Sequence, residues 1–296
     1  MQTISYFLFR IISRFAGKLS DKNLYRISKV LKLIIYNVLR YRKSVTIKNL
    51  TKSFPQKSKN EIVILAGNYY QNLSDILIET LASYYWTTER MALHFKFTNT
   101  EVLKPYLDKN LRIMAVASHT GNFEIGAVLI PSQIKAPAYS VYRPLANQKL
   151  EKLIVDKRTR TGIHITPSKL LRPMIETMEL PGILFLLADQ NPPSIQKAFW
   201  VNFLHQDTAF VHGPAQIAKE YNMPVFYFDT RKIYQGYYES KVSLLLDDPS
   251  TKTHEEITQL FAGKLEESLR DRPDNWLWSH KRWKWARNQG KIIRVD

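Results

Sequence analysis

Two stretches near the start of the chain place apolar residues at helical spacing against a basic opposite side. Between residues 3 and 19, Ile4, Leu8, Ile11, Ile12, Phe15 and Leu19 fall together, and Arg10, Arg14 and Lys18 fall on the other side. Leu24, Ile27, Leu31, Ile34, Ile35 and Val38 repeat the pattern against Arg26, Lys29 and Arg40. Residues 1–57 therefore predict a helical arm that ends at Ser53-Phe54-Pro55. Ser58 followed by Glu61 is a capping-box pattern and opens a helix over roughly 59–86, with Ile62, Leu65, Tyr69, Leu73, Ile76, Leu77, Thr80 and Leu81 on one side. From about residue 95 short apolar runs alternate with helical patterns. Residues 113–118, 137–142, 182–188, 223–229 and 240–246 read as strands, and 122–131, 147–160, 168–179 and 211–221 read as helices. Thr253 and Glu256 cap a late helix that runs to about residue 270. Such alternation predicts an α/β fold, a mostly parallel mixed sheet flanked by helices. One domain over 58–296, preceded by the amphipathic arm 1–57, is the expected organisation. No internal repeat or low-complexity segment interrupts it.

Charge sharpens the reading of the arm. The chain of 296 residues carries a net charge of +17, and residues 1–60 hold fourteen Lys/Arg against the single acid Asp21, a local net of +13. A segment of this kind needs an anionic partner: nucleic acid, anionic lipid or an acidic protein. Basic amphipathic helices with large aliphatic residues lie in a membrane interface; two ordinary surface helices packed on a domain are the alternative. One sign of charge on the polar side favours the interface, because a plain solvated face mixes both signs. No charge-free apolar run approaches the ~20 residues needed to span a bilayer, and no clean signal peptide is expected. The chain has no cysteine, which excludes disulfides and thiolate metal sites.

The run "VASHTGNFEIGA" (116–127) carries the clearest chemistry. An apolar strand ends at Ser118–His119, a tight turn follows through Thr120, Gly121 and Asn122, and a helical pattern begins with Glu124. In a parallel sheet the carboxyl ends of the strands face a crevice where ligands bind, and a helix starting there turns unpaired N–H groups toward it. Glu124 is expected to reach one ring nitrogen of His119, hold the tautomer and leave the other nitrogen free as a base. A strand-end histidine beside a first-turn Glu that merely favours the helix dipole is the plainer alternative.

"HTGNFE" (119–124) resembles the His-x4-Asp/Glu box of the glycerolipid and lipid A acyltransferase superfamily, and the details resemble the late lipid A acyltransferases within it. "YRKSVTIKNLTKSFP" (41–55) is similar to the basic segment before the catalytic domain of that family. "VYRPLANQKLEKLIVDKRTRTG" (141–162) resembles its Tyr-Arg-Pro block, and "LADQNP" (187–192) its Ala-Asp-Gln block. "TAFVHGPAQIAKEYNMPVFY" (208–227) resembles the Gly-Pro-Ala helix with the strand after it, and "WLWSHKRWKW" (276–285) the C-terminal Trp-x-x-His-x-Arg-Trp-Lys signature. The blocks occur in order over about 40–290. Two departures stand out. Phe203-Leu204-His205 replaces the familiar Phe-Phe-Gly, so the turn there is expected to differ, and Arg10, Arg14 and Lys18 break the usual hydrophobic anchor, so attachment is expected to be more peripheral.

The resemblance implies acyl transfer from acyl carrier protein, or acyl-CoA, to a hydroxyl of a lipid acceptor, with His119 as general base and Glu124 orienting it. It implies a phosphorylated lipid A precursor as acceptor and the cytoplasmic face of the bacterial inner membrane as the location. No cofactor and no metal are expected, since a thioester needs neither, and no serine sits in a nucleophile-elbow pattern. Arg143, at a strand end, reads either as a two-pronged phosphate clamp or as a surface ion-pair partner. Asp189 reads as an orienter of Arg143 or of its loop, or as a buried strand-end cap. Asn122 reads as a contact to acceptor or backbone, or as a helix cap, and Gln190 joins Asn122, Arg143 and Asp189 as expected substrate contacts. Trp276, Trp278 and Trp283 with Lys281, Arg282 and Lys284 read either as an interfacial belt or as packing under the sheet. Competing functions are acyl transfer to another glycolipid, an aminolipid or a lysophospholipid, and non-enzymatic nucleic-acid binding. The second lacks any recognisable motif, so no nucleic-acid partner is expected.

Overall fold

Small residues, not large ones, seat the first helix. In the computed structural model, which describes residues 2–288 and 291–294, the apolar stripes fold as α1 (Gln2–Lys18) and α2 (Asp21–Leu33), the second running into a π-helical turn over Ile34–Val38. α3 (Lys43–Ser53) follows, then α4 (Lys59–Ser83), whose first turn is closed by the expected reciprocal bonds between Ser58 and Glu61. α1 lies along α4 through Ser13, Ala16 and Gly17, and a Cβ built on Gly17 would stand 2.6 Å from the Cβ of Tyr85. Its large apolar residues turn outward: Ile4, Leu8, Ile11 and Phe15 are 65, 54, 63 and 59 % exposed. α2 is held more deeply, with Leu24 and Ser28 fully buried against α4. Residues 1–57 are thus packed along the rest of the chain.

After a short α5 (Thr88–Ala92), strands and helices alternate: β1 (Phe95–Thr98), α6 (Lys104–Leu107), β2 (Arg112–Ala117), α7 (Phe123–Ile134), β3 (Ala138–Tyr142), α8 (Gln148–Thr159), β4 (Ile163–Pro167), α9 (Leu171–Glu176) and β5 (Gly182–Leu187). The hairpin β6 (Phe199–Phe203) and β7 (Gln206–Phe210) precedes α10 (Gly213–Glu220), β8 (Val225–Tyr234), β9 (Tyr237–Leu246) and α11 (His254–Asp271), and β10 (Trp285–Asn288) pairs with β11 (Lys291–Arg294). The main sheet has the order β1-β9-β8-β2-β5-β3-β4 and is parallel throughout except for β8 against β9. Strand β2 is central. Ile113, Ala115 and Ala117 face one core, together with Ile125 and Leu129 of α7; Met114 and Val116 face the other, with Phe261 and Leu265 of α11. Both faces being covered explains why the strand reads as a continuous apolar run.

Several elements escaped the patterning, among them β1, β4 and the β6–β7 hairpin. β1 and β4 are short strands at the two edges of the sheet. The β6–β7 hairpin turns at Leu204 and His205, with φ of 50° and 63°. Such a turn needs left-handed backbone at both central residues, for which Asn-Gly is the usual signal. Leu-His carries no such signal, and it is here that the chain departs from Phe-Phe-Gly. The Leu204 N–H donates to Glu266 of α11 at 2.7 Å, which fastens the turn.

Candidate active site

Strand register builds the site. β2 and β5 pair in parallel with Ala117 opposite Leu187, so the residues two further along, His119 and Asp189, emerge side by side at the carboxyl edge. The His119 ring donates from Nδ1 to Asp189 Oδ1 at 2.7 Å, and its backbone N–H donates to Oδ2 at 3.0 Å. Trp276 Nε1 also donates to Oδ2, at 2.7 Å. Asp189 is 1 % exposed. Burial pushes its carboxyl up, yet the His119 ring and these donors prevail and hold it at about 2. Burial likewise pulls the His119 imidazole down, but Asp189, with Glu124 adding to it, raises it above its ordinary value. With Nδ1 carrying the proton, Nε2 of the neutral ring is an acceptor, and the Gln190 amide nitrogen lies 3.1 Å from it.

The expected bond between Glu124 and His119 is not formed. Glu124 lies in the first turn of α7, and Arg158 of α8 takes its carboxylate through a two-pronged pair, Nη2 to Oε1 at 2.7 Å and Nε to Oε2 at 3.0 Å. The acid bonded to the ring comes instead from the neighbouring strand, because parallel pairing puts Asp189 beside it while Arg158 holds Glu124. Asp189 does not orient Arg143; both its oxygens are engaged by His119 and Trp276. Asn122 is fully buried and caps α7, its Oδ1 accepting from Ile125 N at 3.2 Å while its Nδ2 donates to Glu79 at 2.9 Å. Both polar ends of Asn122 are therefore turned to protein. Arg143 stands exposed beyond the end of β3, with no hydrogen-bond partner among the described residues.

Two cavities meet at His119. The larger, about 530 Å³, is lined by His119, Glu124, Arg143, Arg158 and Gln190 over an apolar floor that includes Val128 and Ile163. The smaller, about 370 Å³, is almost wholly apolar and runs along α4 past Leu73, Leu77 and Leu81 to Phe9 of α1. Phe123, its ring 4.8 Å from the imidazole, stands at the junction and lines both.

The C-terminal signature packs under the sheet and forms no surface belt with its first two tryptophans. Trp276 and Trp278 are 3 % and 0 % exposed. Arg282 is buried over the Phe210 ring at 4.3 Å and donates to Ala209 O at 2.6 Å; burial pulls its guanidinium down to about 9. His280 is held neutral by burial and by Arg282, which pull it down to about 4. Two contributions to the site carry no signal in the sequence. Arg158 sits in the run Lys157-Arg158-Thr159-Arg160, where nothing distinguishes it from solvated neighbours. Trp276 as a donor to Asp189 has no local signal, since the two lie 87 residues apart.

A carboxylate-held imidazole thus opens onto one charged and one apolar cavity at the carboxyl edge of an α/β sheet, the arrangement of an α/β enzyme. Comparison with known families makes that class specific: residues 1–285 match the bacterial lipid A biosynthesis acyltransferase family, and the chain belongs to it. It is similar to the lipid A biosynthesis palmitoleoyltransferase of Escherichia coli K12, at 23 % identity over 83 % of this chain and 80 % of the relative. The lauroyltransferase of the same organism is 21 % identical over 88 % and 85 %, and a lipid A biosynthesis acyltransferase of Haemophilus influenzae 24 % over 82 % and 78 %. The protein is an O-acyltransferase of lipid A biosynthesis.

Proposed function

We propose that the enzyme moves a fatty acyl chain from the thioester of an acyl carrier protein to a hydroxyl of a phosphorylated lipid A precursor at an anionic membrane surface. The observation that carries this reading is the Nε2 of His119, unprotonated in the neutral ring, at the meeting point of a charged and an apolar cavity. Nε2 takes the proton of the acceptor hydroxyl as its oxygen attacks the thioester carbonyl. The tetrahedral intermediate collapses by breaking the C–S bond, and the imidazolium returns the proton to the departing thiolate, leaving ester and free thiol. Asp189 fixes the tautomer and, with Glu124, stabilises the imidazolium. The Gln190 amide yields its place at Nε2 to the hydroxyl and is then near enough to donate to the developing oxyanion. The apolar cavity suits an acyl chain, and Arg143 on the rim of the larger one suits an acceptor phosphate.

The arm supports the location. No helix among the described residues is long and apolar enough to cross a membrane. The outward apolar face of α1 beside Arg10, Arg14 and Lys18 fits instead the interface of an anionic leaflet, the cytoplasmic face of the inner membrane. The test supplies purified enzyme with acyl carrier protein thioester and lipid A precursor and follows the acceptor by mass spectrometry. One added acyl chain is expected, with a loss of about 10²–10⁴-fold in His119→Ala; near wild-type turnover in that variant would end the proposal.

A further inference from the structure

Helix α4 carries two fully buried acids one turn apart, Asp75 and Glu79. Asp75 is matched by a cation: Lys232, at the end of β8, places its Nζ 2.6 Å from Oδ2, and Gln71, Gln235 and Ser28 donate as well. Among the described residues Glu79 has no such cation within ion-pair distance. Its Oε1 accepts from the Tyr25 hydroxyl of α2 at 3.1 Å and its Oε2 from Asn122 Nδ2 at 2.9 Å. The Tyr238 hydroxyl of β9 faces it too, and further charges reach it only at a distance: Asp75 and Lys232 directly, Asp21 through Tyr25. The turn that Asn122 closes is tight. Gly121 has φ of +51°, and a Cβ there would meet Thr230 at 2.9 Å and Tyr238 at 3.1 Å. Glu79 thus touches, through one side chain each, the N-terminal arm and the turn between His119 and α7.

We propose that Glu79 is a positioning residue for acyl transfer: anchored to the arm by Tyr25, it fixes the Asn122 amide and thereby the turn that bears His119 at one end and Glu124 at the other. The inference rests on the reading of His119 as base. The ionised carboxylate accepts from Tyr25 and Asn122 at once, which leaves the Asn122 amide one orientation, NH₂ toward Glu79 and oxygen toward the α7 N-terminus. The protonated acid must itself donate; a tyrosine hydroxyl can rotate to receive that proton, but the bond to Asn122 loses its charge-assisted strength. Burial, reinforced by Asp75 and only partly offset by Asn122, pushes the Glu79 carboxyl up to about 7, so both states are populated at neutral pH. The firm form of the turn is the deprotonated one, and a competent site then requires two losses of a proton, one at His119 and one at Glu79.

Two measurements test this. The first is log kcat/KM against pH, with acyl carrier protein thioester and lipid A precursor. The acid limb of the wild type should approach a slope of two. In Glu79→Gln the slope should fall to one, with a plateau about fivefold lower and an unchanged KM for the acceptor. In Tyr25→Phe the slope should stay at two while the limb moves to higher pH, because the anion loses a donor. A slope in Glu79→Gln equal to that of the wild type overturns the inference, as does an unmoved limb in Tyr25→Phe. The second needs no turnover: the side-chain amide of Asn122, followed by NMR, should titrate near neutral pH in the wild type and stay put in Glu79→Gln. Absence of that titration overturns the inference whatever the reaction proves to be, whereas an inactive wild type with the titration intact would count against the acyl-transfer reading alone.

Discussion

Asp189 holds His119 at two points, the ring through Oδ1 at 2.7 Å and the backbone N–H through Oδ2 at 3.0 Å. A carboxylate can do this because it accepts on both oxygens. Asparagine has one acceptor for the three donors of His119 and Trp276, and its own NH₂ would face the ring Nδ1–H. Asp189→Asn should therefore keep the fold and lose about 10²–10⁴-fold in kcat, with KM for the acceptor little changed. Steady-state kinetics with a thermal melt as control checks it; activity within a few-fold of wild type would show that the tautomer does not matter.

Acid should silence the enzyme before it unfolds it. His119 is raised above 6.5 because the Asp189 carboxylate outweighs burial, so the base is lost as pH falls through a midpoint above that value. Asp189→Asn should move the midpoint down, since the charge that raised it is gone. Stability follows a different window. Asp189 is depressed from 3.8 to about 2, so its contribution is present above pH 3.8 and is lost only as pH falls from there toward 2. Comparing pH–rate profiles with acid denaturation curves separates the two.

Glu124 and Arg158 should act as one unit. Each is only partly exposed, and removing either leaves the other poorly satisfied. Glu124→Gln and Arg158→Gln are expected to be impaired to a similar degree, and the double variant no worse than the more damaged single one. That corresponds to a coupling of roughly 0.5–3 kcal/mol in a double-mutant cycle on kcat/KM. Additive losses would mean that the two residues work independently.

Arg143 offers a test by chemistry. Lysine keeps the charge but not the planar fork, so Arg143→Lys should raise KM for a phosphorylated acceptor and perform like wild type on an acceptor lacking that phosphate. Equal impairment on both acceptors would make Arg143 a structural residue.

The outward face of α1 can be changed without disturbing the packing beneath it. Replacing Leu8, Ile11, Ile12 and Phe15 by serine should cut binding to anionic vesicles at least tenfold, since each large apolar side chain withdrawn from water contributes about 1.5–3 kcal/mol. These side chains are half or more exposed, so the melting temperature should hardly move. Co-sedimentation with vesicles at low and high salt is the measurement; unchanged binding would remove α1 from the membrane contact.

How far the molecule could be read from its sequence depended on how local each signal was. The capping boxes at Ser58 and Thr253 are four-residue patterns, and both form as read. The alternation of apolar runs and helical periods along 113–246 marked the main sheet, because strands buried on both faces cannot be mistaken for surface. What stayed hidden was pairwise and distant. His119 is visible as a strand-end histidine, and Glu124 is the nearest acid downstream in sequence; the actual partner is nearest in register, 70 residues on. α1 is the converse case, because the single sign of charge on its polar side already favoured an apolar stripe turned away from a core. A helical stripe of large apolar residues usually faces a core, whereas here Ser13, Ala16 and Gly17 do so and the stripe is left outside. Asp75 and Glu79, one turn apart within the apolar run of α4, were the available hint of a buried polar network.

The pairing of Ala117 with Leu187 also has a temporal meaning. Neither His119 nor Asp189 can find the other until β5 has docked beside β2, and that contact closes a loop of some seventy residues. Such non-local closures come late, because their entropy must be met before their contacts form. Recovery of activity during refolding should therefore lag behind the return of helical signal and keep step with completion of the sheet, which makes turnover itself a clock for the last long-range event in folding. A single residue inserted within β5 would leave every chemical group in place and still stop that clock, since a shift of one position turns the strand end to its other face.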